Sequence, residues 1–251
     1  MGLFDIPAPL FSALDGLISF LPAYARLLLW AAITGAISML LYWLCSAQGR
    51  VEAAKERAIK ARAAMAGYKG HEFGEMWPLA KESLAASMQH FVVVLVPAVL
   101  SSLPALTLII WVSGQFSYHL PQQGAVVKIQ STPAASVMEL TPVNTDGENT
   151  TVVWPAVEKP VAITTTDNIQ LFKLPLDAAV PVVHQRVWWN SLIGNPNGYL
   201  PADSNIQEVS FGLPPIEFFA AGPSWARTWE LSYFLLLILV SLGIKVAFKI
   251  H

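Results

Sequence analysis

One segment of this sequence concentrates side chains that could do chemistry through their charge. Five basic residues follow one another along an Ala-rich stretch, namely Arg50, Lys55, Arg57, Lys60 and Arg62. Lys and Arg side chains are cationic hydrogen-bond donors, so such a group could attract anionic lipid or a ribosome surface. The alternative is an ordinary basic loop beside a membrane span, and the sequence leaves both interpretations open.

A second set of side chains places hydroxyl groups inside apolar stretches. It consists of Thr34, Ser38, Ser101, Ser102 and Ser241. Hydroxyls in membrane helices commonly form hydrogen bonds between helices, worth about 0.6 kcal/mol each. With Gly35, Thr34 and Ser38 also form a small-residue face that favours close helix packing.

Reactive residues with the spacing of a catalytic or metal site are not found in the sequence. The five histidines are scattered, and there is no Cys–His cluster, nucleophile elbow or phosphate-binding glycine loop. Cys45 is the single cysteine, so no disulfide can form within the chain. We therefore expect a protein that is not an enzyme and that uses no metal and no cofactor.

The composition points to a membrane. Hydrophobic residues make up 54% of the 251 residues and charged residues only 13%, whereas soluble domains average about 25% charged residues. Three apolar stretches approach the roughly twenty residues needed to cross a bilayer, at about 27–45, 91–112 and 229–248. Pro97 and Pro104 interrupt the second, which predicts a kinked helix facing protein or water.

The distribution of charge predicts the orientation. Seven Lys or Arg residues lie between Arg50 and Lys81, whereas 114–224 has four basic residues against nine acidic ones. Because basic loops stay on the cytoplasmic side, the N-terminus is expected outside and the C-terminus in the cytoplasm. The bacterial or archaeal inner membrane is the expected location, with the lipid bilayer as a partner and no nucleic acid.

The predicted fold is an α-helical membrane protein with a cytoplasmic helical hairpin and an exterior β-rich domain. Its six parts are an exterior amphipathic helix (1–25), a first transmembrane helix (26–46), a cytoplasmic basic helical hairpin or short coiled coil (47–90), a second transmembrane helix (91–113), the exterior β-rich domain (114–224), and a third transmembrane helix with a short cytoplasmic tail (225–251).

The first part lacks the basic start of a signal peptide. Its apolar positions from Leu10 to Leu21 follow helical spacing, with Ser12, Asp15 and Ser19 on the other side. We expect this helix to lie on the membrane surface or, nearly as well, to pack against other protein.

Two further patterns concern helix contacts. A thin stripe in the basic arm favours close packing with a second helix, and it consists of Val51, Ala54, Ala58, Ala61 and Met65. At the outer rim, Glu230 is expected to pair with Arg26 or Arg227, with a proton relay as the less favoured role.

Short apolar runs separated by turn residues predict strands in the β-rich domain: AVVKIQ, SVMEL, TVVWPAV, KPVAITT and IQLFKL. The later stretch WWNSLIGNPNGYLPADSN predicts an ordered loop anchored by Trp188, Trp189 and Tyr199. Those aromatic residues could bind sugar or peptide, although packing is the favoured interpretation. Asn149-Thr150-Thr151 matches a glycosylation acceptor, a triplet common by chance.

Four segments, covering somewhat more than half the chain, resemble the Oxa/YidC/Alb superfamily of membrane-protein insertases. They are LLLWAAITGAISMLLYWL, RVEAAKERAIKARAAM, VVVLVPAVLSSLPALTLIIWV and GPSWARTWELSYFLLLILVSLGIKVAF. The likeness is to the minimal three-span branch, which includes the third subunit of the endoplasmic-reticulum membrane complex and archaeal YidC-like proteins. Two departures are the absence of a charge at mid-depth in the spans and an exterior domain of about 110 residues.

The resemblance implies a three-helix bundle with a hydrophilic groove, lined by the five hydroxyl residues. It also implies that the five basic residues capture membrane-protein clients or contact lipid. The expected function is that of an insertase or chaperone. The alternative is a non-catalytic accessory or structural subunit of a larger respiratory or photosynthetic membrane complex, because a fold does not fix a function.

Overall fold

A computed structural model describes residues 2–70, 72–133, 144–146, 149–165 and 169–250. The described helices are α1 (Ala8–Leu17), α2 (Ala23–Cys45), α3 (Gln48–Gly67), α4 (Phe73–Phe116), α5 (Ser224–Arg227) and α6 (Trp229–Ala247). The chain divides into two compact units. One comprises 1–27 and 107–232, and the other comprises 28–106 and 233–251.

Three helices, α2, α4 and α6, are long and apolar enough to cross a membrane. Their lengths of 23, 44 and 19 residues meet the roughly twenty that a bilayer core requires. The chain is thus an integral membrane protein with three candidate spans, as the hydropathy of the sequence predicts.

Helix α4 is a single helix that continues through the prolines from which a kink was predicted. Its 44 residues include Pro78, Pro97 and Pro104 inside the helix. Proline lacks the N–H of an ordinary helical residue, but neighbouring groups can compensate for this in a membrane helix. The second arm of the hairpin and the second span are therefore one element.

The hairpin consists of α3 and the first part of α4, and small side chains hold it together. Ala58, Ala61 and Ala86 form one buried cluster. Val51 and Ala54 are also buried on α3. The predicted stripe is thus confirmed at four positions and wrong at Met65, whose side chain is exposed because it lies in the last turn of α3.

The sheet of the other unit is antiparallel, with the strand order β2-β3-β1-β7-β6. These strands are β1 (Val126–Thr132), β2 (Asn144–Asp146), β3 (Asn149–Val153), β6 (Val182–His184) and β7 (Glu208–Phe211), while β4 (Val161–Thr164) and β5 (Gln170–Leu174) form a separate pair. Buried and exposed residues alternate along β1, as a strand with one buried face requires.

Aromatic side chains fill the core beneath this sheet. Phe211 makes edge-on contacts with Trp154 and Phe172, and all three belong to one buried cluster. Four of the predicted strands are confirmed, and SVMEL lies outside the described residues. Three described strands, β2, β6 and β7, were not predicted, because each is only three or four residues long.

Candidate functional site

The basic hairpin is the first candidate site, and its five cations differ in the contacts that they make. Arg57 Nη1 donates to Gln89 Oε1 at 3.0 Å, and Arg62 Nε donates to Ser87 Oγ at 3.1 Å. These bonds join α3 to α4, so the two arginines help to close the hairpin. Arg50 and Lys55 are exposed on α3.

Lys60 is intermediate between these two pairs. Its Nζ lies 3.7 Å from Glu56 Oε2, one helical turn away, and both side chains are largely exposed. An exposed pair of this kind contributes at most about 0.5 kcal/mol, so Lys60 can exchange Glu56 for another anion at little cost.

An open depression of about 510 Å³ lies on the surface of this hairpin. Its lining mixes both signs of charge with small side chains: Ala53, Glu56, Arg57, Lys60, Ala61, Ala64 and Glu82. The mixture suits a polar, charged segment rather than an apolar ligand, because ligand pockets for small molecules are mostly apolar.

The turn of the hairpin carries one perturbed group. The Tyr68 hydroxyl donates to Glu75 Oε2 at 2.8 Å and lies 3.3 Å from the Glu72 carbonyl oxygen. The bond to the Glu75 carboxylate raises the pKa of Tyr68, because the bond favours the protonated phenol. The Tyr68 hydroxyl thus ties the turn to the first residues of α4.

The hydroxyl residues fall into two places. Thr34 is buried on α2, and its Oγ1 donates to the Trp30 carbonyl at 2.8 Å. Thr34 Oγ1 also lies 2.7 Å from the Tyr233 hydroxyl on α6. Since the one Thr34 proton is already donated, Tyr233 is the donor in this contact between the helices.

The same face of α2 also approaches α6 closely at Gly35. A Cβ on Gly35 would lie 2.9 Å from the Leu237 carbonyl oxygen and 3.2 Å from Ser241 Oγ. Ser38 Oγ donates to the Thr34 carbonyl at 2.8 Å. Thr34, Ser38 and Ser241 thus lie at one helix contact, as the packing interpretation of the small residues expects.

Ser101 and Ser102 use their own helix instead. Ser101 Oγ donates to the Ala98 carbonyl at 3.0 Å, and Ser102 Oγ donates to the Val99 carbonyl at 2.8 Å. Ser101 is buried and Ser102 is exposed. Their hydroxyls are satisfied locally, which leaves acceptor capacity on each oxygen.

The rim residues are paired, but with partners other than those the sequence indicated. Arg26 Nη2 lies 3.3 Å from Asp15 Oδ2, and its guanidinium carbon lies 5.6 Å from the centre of the Phe116 ring. Arg227 Nη2 lies 3.3 Å from Glu217 Oε1. The expected pairing of Glu230 with either arginine is therefore wrong, and Glu230 is exposed at the start of α6.

The aromatic residues of the long loop were expected to anchor it. Trp189 and Tyr199 make such contacts, but Trp188 does not. Trp188 is 82% exposed, so it anchors nothing within the described unit. Trp189 and Tyr199 pack on either side of His184, with ring centres 5.2 and 5.8 Å away.

Asparagine amides hold the loop more directly. Asn195 Nδ2 donates to the Val182 carbonyl at 2.7 Å, and Asn197 Nδ2 donates to the carbonyls of Ala178 and Val180, each at 3.1 Å. The run Asn-Pro-Asn-Gly was the available signal in the sequence, because Asn side chains commonly bond to nearby backbone.

Sequence reasoning missed three other contact residues. Tyr233 is the partner of Thr34, and its signal was a phenol hydroxyl near the start of an apolar run. Gln89 and Ser87, the partners of Arg57 and Arg62, gave no signal that separates them from ordinary exposed polar residues.

Across the part of the chain that the structure describes, no group of three or more His, Cys, Asp or Glu side chains is arranged to hold a metal ion. Comparison of the chain with protein-family models, with curated proteins and with solved structures found no match.

Proposed function

We propose that this chain is an insertase or chaperone for membrane proteins, of the kind represented by the YidC-like family. The hairpin of α3 and α4, with the C-terminus, lies in the cytoplasm of a bacterial or archaeal cell. The N-terminus and the β-rich domain lie on the opposite side of the inner membrane. The charge distribution of the sequence supports this orientation.

One observation carries the proposal, namely the continuity of α4 from the hairpin into the second span. A helix of 44 residues is about 66 Å long, whereas the hydrocarbon core of a bilayer is about 30 Å thick. About half of α4 must therefore lie outside the core. A client held on the hairpin is then held at a fixed position relative to the span beside which it must insert.

The hairpin can hold such a client by charge. Arg50 and Lys55 are exposed, and Lys60 has only a weak partner. Arg57 and Arg62 are already bonded across the hairpin. We therefore assign capture of acidic client segments or of anionic lipid first to Arg50, Lys55 and Lys60, and closure of the hairpin to the two arginines.

The spans lower the cost of moving polar groups without any covalent reaction. A charged side chain at the bilayer centre costs about 3 kcal/mol or more. Hydroxyls with spare acceptor capacity can offset part of that cost, and Ser38, Ser101 and Ser102 can supply them, whereas Thr34 is buried and already accepts from Tyr233. Ser102 is the most accessible of those on α4.

Insertion into vesicles tests the proposal. A membrane protein with a short acidic translocated segment is offered to vesicles with and without the purified chain, and protection of the segment from protease is measured. We expect more protection with the chain, and a several-fold loss with Arg50→Glu and Lys55→Glu combined. Lys159→Glu with Lys173→Glu makes the same charge change on exposed residues of the other unit and should change nothing. Equal insertion with and without the chain would end the proposal.

The orientation has its own test. Single cysteines replace Lys60 and Lys159 in a Cys45→Ser background, and a membrane-impermeant thiol reagent is added to intact cells. Labelling at position 159 but not at 60 is the expected result. The reverse pattern would place the hairpin outside and contradict capture of nascent clients.

A second candidate function is that of an accessory subunit in a larger respiratory or photosynthetic assembly. The observation that favours it is an exposed apolar patch on the β-rich unit. Val126 and Val153 face each other in the sheet and are both exposed, and Val157 is exposed nearby in the chain. Purification in gentle detergent with mass spectrometry separates the two candidates. Partners of fixed stoichiometry favour the subunit, whereas varied clients at low stoichiometry favour the insertase.

A further inference from the structure

Helix α1 exposes its apolar face, which a helix in water would bury. Phe11 and Asp15 pack against the rest of their unit, whereas Leu10, Leu14 and Leu17 are exposed at 59%, 44% and 74%. The three leucines share one stripe because residues three and four apart lie on one helix face. The apolar residues that precede and follow the helix, Ile6 and Phe20, are exposed too.

Polar contacts fix the inner side of α1. Ser12 Oγ accepts a hydrogen bond from Trp111 Nε1 at 2.9 Å, and the Phe11 ring meets the edge of Trp111 at 5.9 Å. Asp15 is buried and lies 3.3 Å from Arg26. These contacts hold the helix to the first turn of α2 and the last turns of α4, so the leucine stripe cannot turn inward without breaking them.

The N-terminal end of this segment is held as well. Gly194 N and Gly2 N both donate to Asp5 Oδ2 at 2.7 Å, and Phe4 N donates to the Leu192 carbonyl at 2.9 Å. Gly2 lies so close to the backbone of Leu192 that a larger residue would have no room. The segment from Gly2 to Leu17 is therefore a fixed part of its unit.

The connection to α2 places α1 near the membrane boundary. Five residues, 18–22, separate Leu17 from the first residue of α2, which is a candidate span. Such a connection reaches at most about 20 Å. Trp111 is likewise within two turns of the end of α4. A helix tied to the ends of two spans lies within reach of the lipid that surrounds them.

The charges indicate which lipid chemistry the stripe meets. Residues 2–25 contain no Lys, Arg or His, and both acidic residues, Asp5 and Asp15, make contacts within the unit. Attraction to anionic headgroups therefore contributes nothing here, unlike in basic interfacial helices. What remains is burial of apolar surface.

We infer that α1 is an interfacial helix that lies along the membrane surface with Leu10, Leu14 and Leu17 among the acyl chains. The leucine stripe therefore contacts the bilayer whatever the charge of the lipid headgroups. The inference requires only that α2 and α4 cross the membrane, and it holds for an insertase and for an accessory subunit alike.

Quenching by spin-labelled lipid tests the inference on the full chain in nanodiscs. A fluorophore is attached to a single cysteine at Leu14, in a Cys45→Ser background. Matched positions are Leu239, an exposed leucine of the third span, and Glu158, an exposed charged residue of the β-rich unit. Nitroxides are placed on the lipid near the headgroup or deep in the chain.

The expected result is at least fivefold stronger quenching at Leu14 than at Glu158 by the shallow nitroxide, and stronger quenching at Leu239 by the deep one. Neutral and anionic nanodiscs should give the same value at Leu14. Quenching at Leu14 no stronger than at Glu158 would overturn the inference, whether the label then proves accessible to aqueous iodide or shielded by protein. A requirement for anionic lipid would overturn the assignment of a purely apolar contact.

Discussion

The β-rich unit and the membrane spans bury different kinds of side chain. In the β-rich unit the large residues are inside, as with Trp154, Phe172 and Phe211. In α6 the leucines at 235, 239 and 242 are each more than half exposed. Between 11% and 28% of the most apolar window of each span is buried. The difference shows that the spans are built for an apolar solvent, in which an exposed leucine costs nothing.

The contacts within the second unit follow the same logic. Without a hydrophobic force between helices in lipid, small residues that permit close approach make the contact. Gly35 meets α6 directly, and Ala58, Ala61 and Ala86 close the hairpin.

The largest expected difference between the two regions is in the stability lost when one large side chain is removed. Phe211→Ala leaves a cavity beside Trp154 and Phe172, and we expect a loss of about 3–5 kcal/mol in the stability of the β-rich unit. Leu239→Ala removes a side chain of the third span that is 56% exposed and should cost well under 1 kcal/mol. Thermal unfolding of both variants in mild detergent measures the contrast. Equal losses would mean that the third span has a packed core of its own.

A methyl group at Gly35 tests the close approach of α2 and α6. The new Cβ would lie 2.9 Å from the Leu237 carbonyl oxygen, so Gly35→Ala should cost about 1–3 kcal/mol. Gly243→Ala is the matched change, because nothing lies within 4 Å of the position of its Cβ. It should be neutral or slightly stabilising, since alanine favours a helix more than glycine does. The same unfolding assay compares them, and a harmless Gly35→Ala would refute the contact.

Enlarging an alanine tests the hairpin. Ala86 is only 1% exposed, so Ala86→Leu should separate α3 from α4 at a cost of about 1–2 kcal/mol. Ala85→Leu makes the same change at an exposed neighbour and should leave the hairpin closed. Hydrogen exchange of α3 amides reports the separation. Faster exchange in both variants, or in neither, would contradict the assigned contact face.

The smallest effect concerns pH. Because its bond to Glu75 raises the pKa of Tyr68, the protonated phenol stabilises the folded turn. This contribution is complete below the unfolded pKa of about 10 and is lost as pH rises through the higher folded value. Glu75→Gln should lower the pKa of Tyr68, as measured by the difference in phenolate absorbance against Tyr68→Phe. An unchanged titration would mean that the bond does not form.

Composition and periodicity predicted the elements that depend on local sequence. The three spans follow from their apolar runs, the Ala stripe of α3 from its spacing, and four strands from alternation. The strands β2, β6 and β7 were missed because they are only three or four residues long, and β6 and β7 are also stabilised by pairing with residues distant in the sequence. The prolines at 97 and 104 lie inside α4, which continues through both as one helix.

The candidate site was less predictable than the fold. Residue types located the basic arm and the hydroxyls, but not their partners. Gln89 and Ser87 are 32 and 25 residues away from the arginines they bind, and Asp15 replaced Glu230 as the partner of Arg26. Such pairings depend on how elements pack, and a single sequence carries no local sign of that.

The alanine contact of the hairpin has a consequence for how α3 can vary. Val51, Ala54, Ala58 and Ala61 are buried at intervals of three and four residues, while the residues between them are exposed. In a library that substitutes every position of α3, the tolerance to large side chains should therefore vary with the period of the helix. Bulky replacements would be lost at those four sites and retained at the intervening ones, so that random variation alone would trace the buried edge of the helix.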